Sequence, residues 1–445
     1  MYKMSKLFFV TVLGLFTSAL GAGGVGRFDS VGGTYDAQTD FKWYKSLYYQ
    51  ARVRSLISDL SRTGGGHGEQ EAFSGPSLSG VIKRVKIDSG DMMRLTLEEN
   101  IKGMPTYGDT PVRGGGFLEF KNQEARINRI DSPAQRIVGE MSQQRVRESI
   151  QNLPERTKRQ VLDYMAEQLE FEAIPALLTG GSPSVQKPTT EGGLGMNLGV
   201  GAGAGAGVPL MNKHWYTPDA GFIAYNTTPA THNTAINTAI NAVAADATHQ
   251  FGLTFHNILR ARLDDELWNP VSINGKRYKA IAACDPDIMW RLRALMETRY
   301  TNARERGKDN PIFNVDYMIE LDDVLYFSWR NLKKYRPANS AVAATGPDFG
   351  PLTSNQDPRT FTPTSTTGMI AYMGGDALIE AYDDSIKVGR EEGRFGKSLE
   401  VNASMKSGFV RNEWYAKDGR TDVDAVENRS LLLAAFHEPG VGQTA

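Results

Sequence analysis

The spacing of apolar and polar positions changes period several times along the chain, and each change predicts an element. Met93-Arg94-Leu95-Thr96-Leu97-Glu98 alternates apolar with polar residues, the period of a strand with one wet face. Glycines and prolines follow (Gly103, Pro105, Gly108, Pro111, Gly114, Gly115, Gly116). Phe117-Leu118-Glu119-Phe120 then starts a return, and Ala125 to Asn128 continue it. These residues predict a long two-stranded ribbon. From Ser142 to Leu178 the spacing becomes helical, with a break at Asn152-Leu153-Pro154, where Pro154 suits a first helical turn and Asn152 a cap. Leu162, Met165 and Leu169 form the apolar stripe, leaving Glu155, Arg156, Lys158, Arg159, Glu167 and Glu170 for solvent. An isolated two-stranded ribbon is marginal in water, so this one needs a supporting surface on its own body or on another copy.

Elsewhere, Phe41 to Leu60 is an aromatic and basic element with Leu47, Val53, Leu56, Ile57 and Leu60 on helical spacing, ended by Gly64 to Gly68. Gly180 to Pro209, with alternating Gly and Ala from Gly199 to Gly207, has little side chain to bury and reads as a mobile surface insertion. From Thr231 the residues Ile236, Ile240, Val243, Ala247, Phe251, Phe255, Leu259 and Leu263 recur three or four apart, predicting one long amphipathic helix. Asn274-Gly275 between strand-like runs predicts a hairpin over Pro270 to Ile281. Asp285-Pro286 opens a helix whose apolar side is Met289, Leu292, Leu295 and Met296. Asp322-Asp323 marks another hairpin turn. Pro337 to Thr367 reads as a long exposed loop, Ile370 to Ala381 as core, and Leu399–Trp414 with Ser430–Phe436 as closing strands.

At 445 residues the chain exceeds one ordinary core. Fifty Lys and Arg face 51 Asp and Glu, so no global field draws in nucleic acid or an anionic membrane, and like copies can pack at little electrostatic cost. The single cysteine, Cys284, excludes an intrachain disulfide and any multi-cysteine metal site; it reads as a small buried residue at a strand end. Lys3 and Lys6 before the apolar run Leu7–Leu20 look like a secretory leader, but the run is short of the roughly 20 residues a spanning helix needs. It is read as a retained arm packing on protein, with export as the alternative.

Candidate chemistry is sparse. Gly21-Ala22-Gly23-Gly24-Val25-Gly26 matches a dinucleotide-binding pattern, yet Arg27 to Gly33 is a poor helix start. Gly396-Lys397-Ser398 resembles the end of a phosphate loop, but Glu391 stands where the first glycine must be. His249 and His256 are two helical turns apart, too far for one metal, and read as surface or cap positions. Asp264-Asp265-Glu266, Asp383-Asp384 and Glu391-Glu392 read as solvated faces. Arg126, Arg129, Arg136, Arg145 and Arg147 read as partners of Glu124, Glu140 and Glu148 rather than of phosphates. No catalytic, cofactor-binding or metal-ligating set emerges, so the expectation is a non-enzymatic protein without cofactor.

The order of several short motifs carries a resemblance. They are Gly103-Met104-Pro105-Thr106-Tyr107-Gly108-Asp109-Thr110 with Gly115-Gly116, Met141-Ser142-Gln143-Gln144-Arg145, Asn274-Gly275-Lys276 running into Asp285-Pro286, Asn310-Pro311-Ile312-Phe313, and Gly374-Gly375-Asp376-Ala377-Leu378. Together they resemble the major capsid protein of tailed bacteriophages, nearest to the coat family of the N-four-like podophages. The resemblance implies an α+β fold of the Hong Kong 97 type. Residues 1–72 would then be an N-terminal arm and 73–131 the extended-loop hairpin. Residues 132–180 with 380–437 would be a peripheral domain carrying a spine helix. Residues 181–230 would be a Gly/Ala-rich insertion, and 231–379 an axial domain with an exposed loop at 337–367. It further implies self-assembly into hexamers and pentamers of an icosahedral shell, in the virion and earlier in the host cytoplasm. Its partners would be portal, scaffolding and decoration proteins, with packaged double-stranded DNA touching the inner face weakly and no membrane. A retained N-terminus implies a separate scaffolding protein. A nanocompartment shell of the same fold and an exported surface protein are the alternatives.

Overall fold

The computed structural model describes residues 61–62, 80–87, 90, 92–98, 120–132, 135–138, 153–180, 215–223, 229–265, 268–273, 276–304, 318–340, 346–354, 356–393, 398–412 and 430–439. Along the chain run β1 (Ser61–Arg62), β2 (Ile82–Lys86), β3 (Met92–Glu98), β4 (Phe120–Arg126), β5 (Asn128–Asp131), β6 (Gln135–Val138) and the long helix α1 (Leu153–Thr179). Then come β7 (Trp215–Thr217), β8 (Gly221–Ile223), α2 (Pro229–Ala245), α3 (Leu253–Asp265), β9 (Val271–Ile273), β10 (Lys276–Tyr278), β11 (Ala280–Cys284) and α4 (Pro286–Arg304). The remainder is β12 (Met318–Leu321), β13 (Val324–Ser328), a 3-10 helix (Arg330–Tyr335), the single turn α5 (Pro351–Ser354), β14 (Thr367–Met373), β15 (Leu378–Gly393), β16 (Ser398–Arg411) and β17 (Leu431–His437).

Two large sheets organise these elements. The first has the order β12-β13-β11-β14-β17-β7-β8. Its strands read as continuous apolar runs, because both faces are covered. Ile281, Ala283, Leu325, Phe327, Met369, Ala371, Leu433 and Ala435 join one core with α1 and α2. The alternate residues Ala282, Cys284, Tyr326, Ile370, Tyr372, Leu432 and Phe436 join a second core with α3 and α4. The other sheet has the order β1-β2-β15-β16-β5, with β6 also pairing β16. Ala403, Met405 and Phe409 of β16 share the core of α1, so that helix lies between the two sheets. β3 and β4 pair only with each other, from Met92 opposite Arg126 to Glu98 opposite Phe120.

Several sequence expectations are corrected. The helix predicted from Thr231 to Leu263 is two helices. Asp246 interrupts it by accepting from the Thr248 N–H and hydroxyl at 2.8 Å each, and Phe251 of the connection joins the second core with α3 whereas α2 packs in the first, so the apolar period runs on across the break. Part of 337–367 is anchored rather than exposed: Phe349 is fully buried and stacks on Trp215, ring centroids 6.4 Å apart. Trp215–Ile223, placed within the 181–230 insertion, supplies two strands of the first sheet. β17, grouped with 380–437, lies between β14 and β7 rather than beside β16. Leu295, read as core, is exposed. The leader-like run, the aromatic-basic element, the Gly-Ala tract and the turn at Gly103–Gly116 lie outside the described residues.

Candidate assembly surfaces

The ribbon β3–β4 rises from a small cluster of Ile87, Ile127, Ile379 and Ala381, against which Val85, Leu95 and Val410 pack. Met93, two residues from Leu95 and on the same side of the strand, is exposed. The ribbon therefore has a fixed root, with Met93 in solvent.

Helix α1 is held at its C-terminal end and along its length from Val161 onward. Its buried stripe includes Val161, Met165, Leu169 and Ile174. Near its C-terminus, where the last carbonyls lack partners within the helix, the Arg411 guanidinium donates to the Leu177 and Leu178 carbonyls at 3.4 and 3.3 Å. Gly180 supplies the positive φ of 98° that ends the helix. Glu167 and Glu170, expected to be solvated, are recruited. Glu170 accepts from Trp329 Nε1 at 3.1 Å and Asn331 Nδ2 at 2.8 Å, tying α1 to the 3-10 helix. Arg359, from the supposed loop, pairs with Glu167 at 3.1 Å, donates to Gln168 at 3.0 Å, and lies 3.8 Å above the Tyr164 ring.

A charged knot locks the end of the first sheet. Arg336 is bidentate on the buried Asp285 at 2.7 and 2.8 Å, also touches Asp287, and donates to the Glu438 carbonyl at 3.2 Å. Lys333 reaches Asp287 at 2.7 Å, and Arg291 grips the Glu438 carboxylate at 2.8 and 3.0 Å. Asp285 caps α4 as predicted, accepting from the Asp287 N–H at 3.0 Å. Burial pushes the Asp287 carboxyl up, but hydrogen bonds and charge from Lys333 and Arg336 outweigh it and hold the group below its ordinary value. The sequence flagged Asp285 but not Arg336 or Arg291, because the partners stand far apart along the chain.

The junction between the sheets is Gly374-Gly375-Asp376-Ala377. Gly374 N–H donates to the Ser430 carbonyl at 2.7 Å, Gly375 N–H to Asn269 at 2.7 Å, and Asp376 N–H to Gly80 at 2.7 Å. A Cβ on Gly374 would stand 2.4 Å from the Asn269 carbonyl oxygen. The glycine pair in the sequence motif is thus a close-approach requirement.

The candidate chemical groups do not converge. His256, expected at a surface, is buried and hydrogen-bonds the Tyr326 hydroxyl at 2.6 Å, which meets the Tyr372 hydroxyl at 2.9 Å; burial raises both tyrosines. His249 is half-buried beside Asp246, at 3.7 Å. Arg129 pairs with Asp131 at 2.7 Å rather than with the glutamates named above. Cys284 is fully buried at the end of β11, as expected, and burial pushes its thiol up. Among the described residues no group of three or more His, Cys, Asp or Glu could hold a metal ion, and no helix is long and apolar enough to cross a membrane.

A family model described as phage capsid protein matches residues 75–427. The chain belongs to that family. Among solved structures, the capsid of Cyanophage Pam1 is similar with a TM-score of 0.50 and 15% identity, covering 81% of this chain and 89% of that one. The capsid of Ralstonia phage GP4 is similar with a TM-score of 0.48 and 18% identity, over 82% and 89% of the two chains. A partial similarity to RNA polymerase sigma factor FliA of Escherichia coli, 26% identical, covers 38% of this chain and 75% of that protein. The coat protein accordingly has the α+β architecture of Hong Kong 97-type capsids, and the features above are those of a structural subunit.

Proposed function

We propose that this coat protein forms hexamers and pentamers of an icosahedral shell that encloses packaged double-stranded DNA. The ribbon carries the reading: it is rooted in the subunit yet pairs with neither large sheet, and a two-stranded sheet needs further cover to be stable in water. In this reading the ribbon is the extended loop, α1 the spine helix, the sheet of β15 and β16 the peripheral domain, and the sheet of β11, β14 and β17 the axial domain. Near-neutral charge suits like copies side by side and only weak contact with DNA on the inner face. Portal and scaffolding proteins complete the particle, which forms in the host cytoplasm.

The test is to replace residues 93–125 by a short Gly-Ser linker and image purified protein by negative stain. The wild type is expected to close shells, while the linker variant stays as folded, free subunits. Shells formed without the ribbon, or a wild type that remains a lone particle at high concentration, would refute the proposal.

A further inference from the structure

A cleft of about 420 Å³ opens where β5, in the sheet of β15 and β16, meets α1, the 3-10 helix, α5 and residues 356–359. That is the size of a small-molecule site, and the seam between packed bodies is where such sites form. Ile130, Phe171 and Leu352, all buried, supply apolar wall. Tyr335 is the anomaly. It lines the cleft and is fully buried, yet its hydroxyl has no hydrogen-bond partner. Such a group is costly, and finished structures leave few of them. Burial, and then the charge of Glu172, pushes this hydroxyl well up, so it keeps its proton at neutral pH. Glu172 shares the cleft and is only 3% exposed. Gln168 accepts from Arg359 at 3.0 Å, which turns its amide nitrogen toward Glu172, at 3.2 Å. The two cations of the lining are engaged by the protein. Arg359 also binds Glu167, Asp357 and the Tyr164 carbonyl, and Arg129 pairs with Asp131 at the exposed rim. Three lining carboxylates (Asp131, Glu172, Asp357) thus stand against two guanidiniums (Arg129, Arg359).

We propose that this cleft binds a small organic amine, its ammonium donating to the Glu172 carboxylate and the Tyr335 hydroxyl oxygen, and its apolar body lying on Phe171 and Leu352. An ammonium brings three donors and no acceptor, which suits a carboxylate beside a hydroxyl, and its charge offsets the negative excess of the lining. An anion would add to that excess and would find the Arg359 donors already committed. A neutral alcohol would leave the excess as it stands. A water has a share of liquid volume of about 30 Å³, far less than the cleft holds. The inference concerns a ligand of the single subunit and is separate from the assembly reading.

Three probes of one shape test it: 2-phenylethylamine, 2-phenylethanol and phenylacetate, titrated calorimetrically into the full-length subunit at constant ionic strength. The amine should bind at least about tenfold tighter than the alcohol or the acid, the difference a charge-assisted hydrogen bond makes. Tyr335→Phe should keep or raise the thermal midpoint, because it deletes only an unpartnered hydroxyl, and should weaken the amine at least about fivefold. Glu172→Gln, of the same shape, should erase the preference for amine over alcohol. No binding of the amine, equal affinity for amine and alcohol, preference for phenylacetate, or unchanged amine affinity in a folded Tyr335→Phe overturns the inference. None of these outcomes bears on whether shells form, so failure here is distinct from failure of the coat reading.

Discussion

Asp287 is one residue through which pH acts on the fold. Its carboxyl is buried near Lys333 and Arg336, and those cations keep it ionised below its ordinary value of 3.8. A group with a depressed folded-state value contributes stability that is complete above the unfolded value and is lost as pH falls through the folded one. The contribution of Asp287 to the urea midpoint should therefore hold from neutrality down to about pH 5 and fall away below about pH 4. In Asp287→Asn the neutral-pH midpoint should be lower and the acid slope shallower; an unchanged slope would remove Asp287 from the account. This knot was half legible in the sequence. Asp285 before Pro286 is a local capping signal, whereas Arg336 meets Asp285 only because β13 and β11 run parallel and deliver both chain ends to the same edge. His256 was misplaced for the same reason: its partner Tyr326 is supplied by the sheet, not by its own helix.

At the scale of elements, strands were the most legible. Leu431–Phe436 and Met369–Met373 are apolar runs because both sheet faces are covered, and Asp322-Asp323 turns its hairpin through positive φ angles of 45° and 67°. The break between α2 and α3 was hidden, since Phe251 keeps the apolar rhythm while the backbone leaves the helix. The anchoring of 346–359 was hidden too, because its few anchors, Phe349, Leu352 and Arg359, are diluted among Pro, Thr and Ser. The link from β14 to β15 shows how strictly an element boundary can be set. In Gly374→Ala the new methyl meets a backbone oxygen that cannot swing away, so the variant should lose about 1–3 kcal/mol by overpacking. A lowered thermal midpoint would register it, and a wild-type midpoint would show that the Asn269 strand entry yields freely.

For the whole molecule, the two sheets are not independent lobes joined by a linker. α1 packs on both, and β17 returns from beyond β16 to sit between β14 and β7. The coat architecture could be inferred from the order of motifs, but not the crossing of these late strands, because apolar runs do not specify their neighbours. That placement has a consequence for synthesis. The middle of the first sheet stays open until Leu431–His437 has left the ribosome, so a nascent chain cannot complete its fold early. Polypeptides stopped before Leu431 should aggregate or be degraded, and mass spectrometry of purified shells should find none of them. As the last described strand and one with a neighbour on each side, Leu431–His437 should thus act as a check on completeness, keeping unfinished polypeptides from folding.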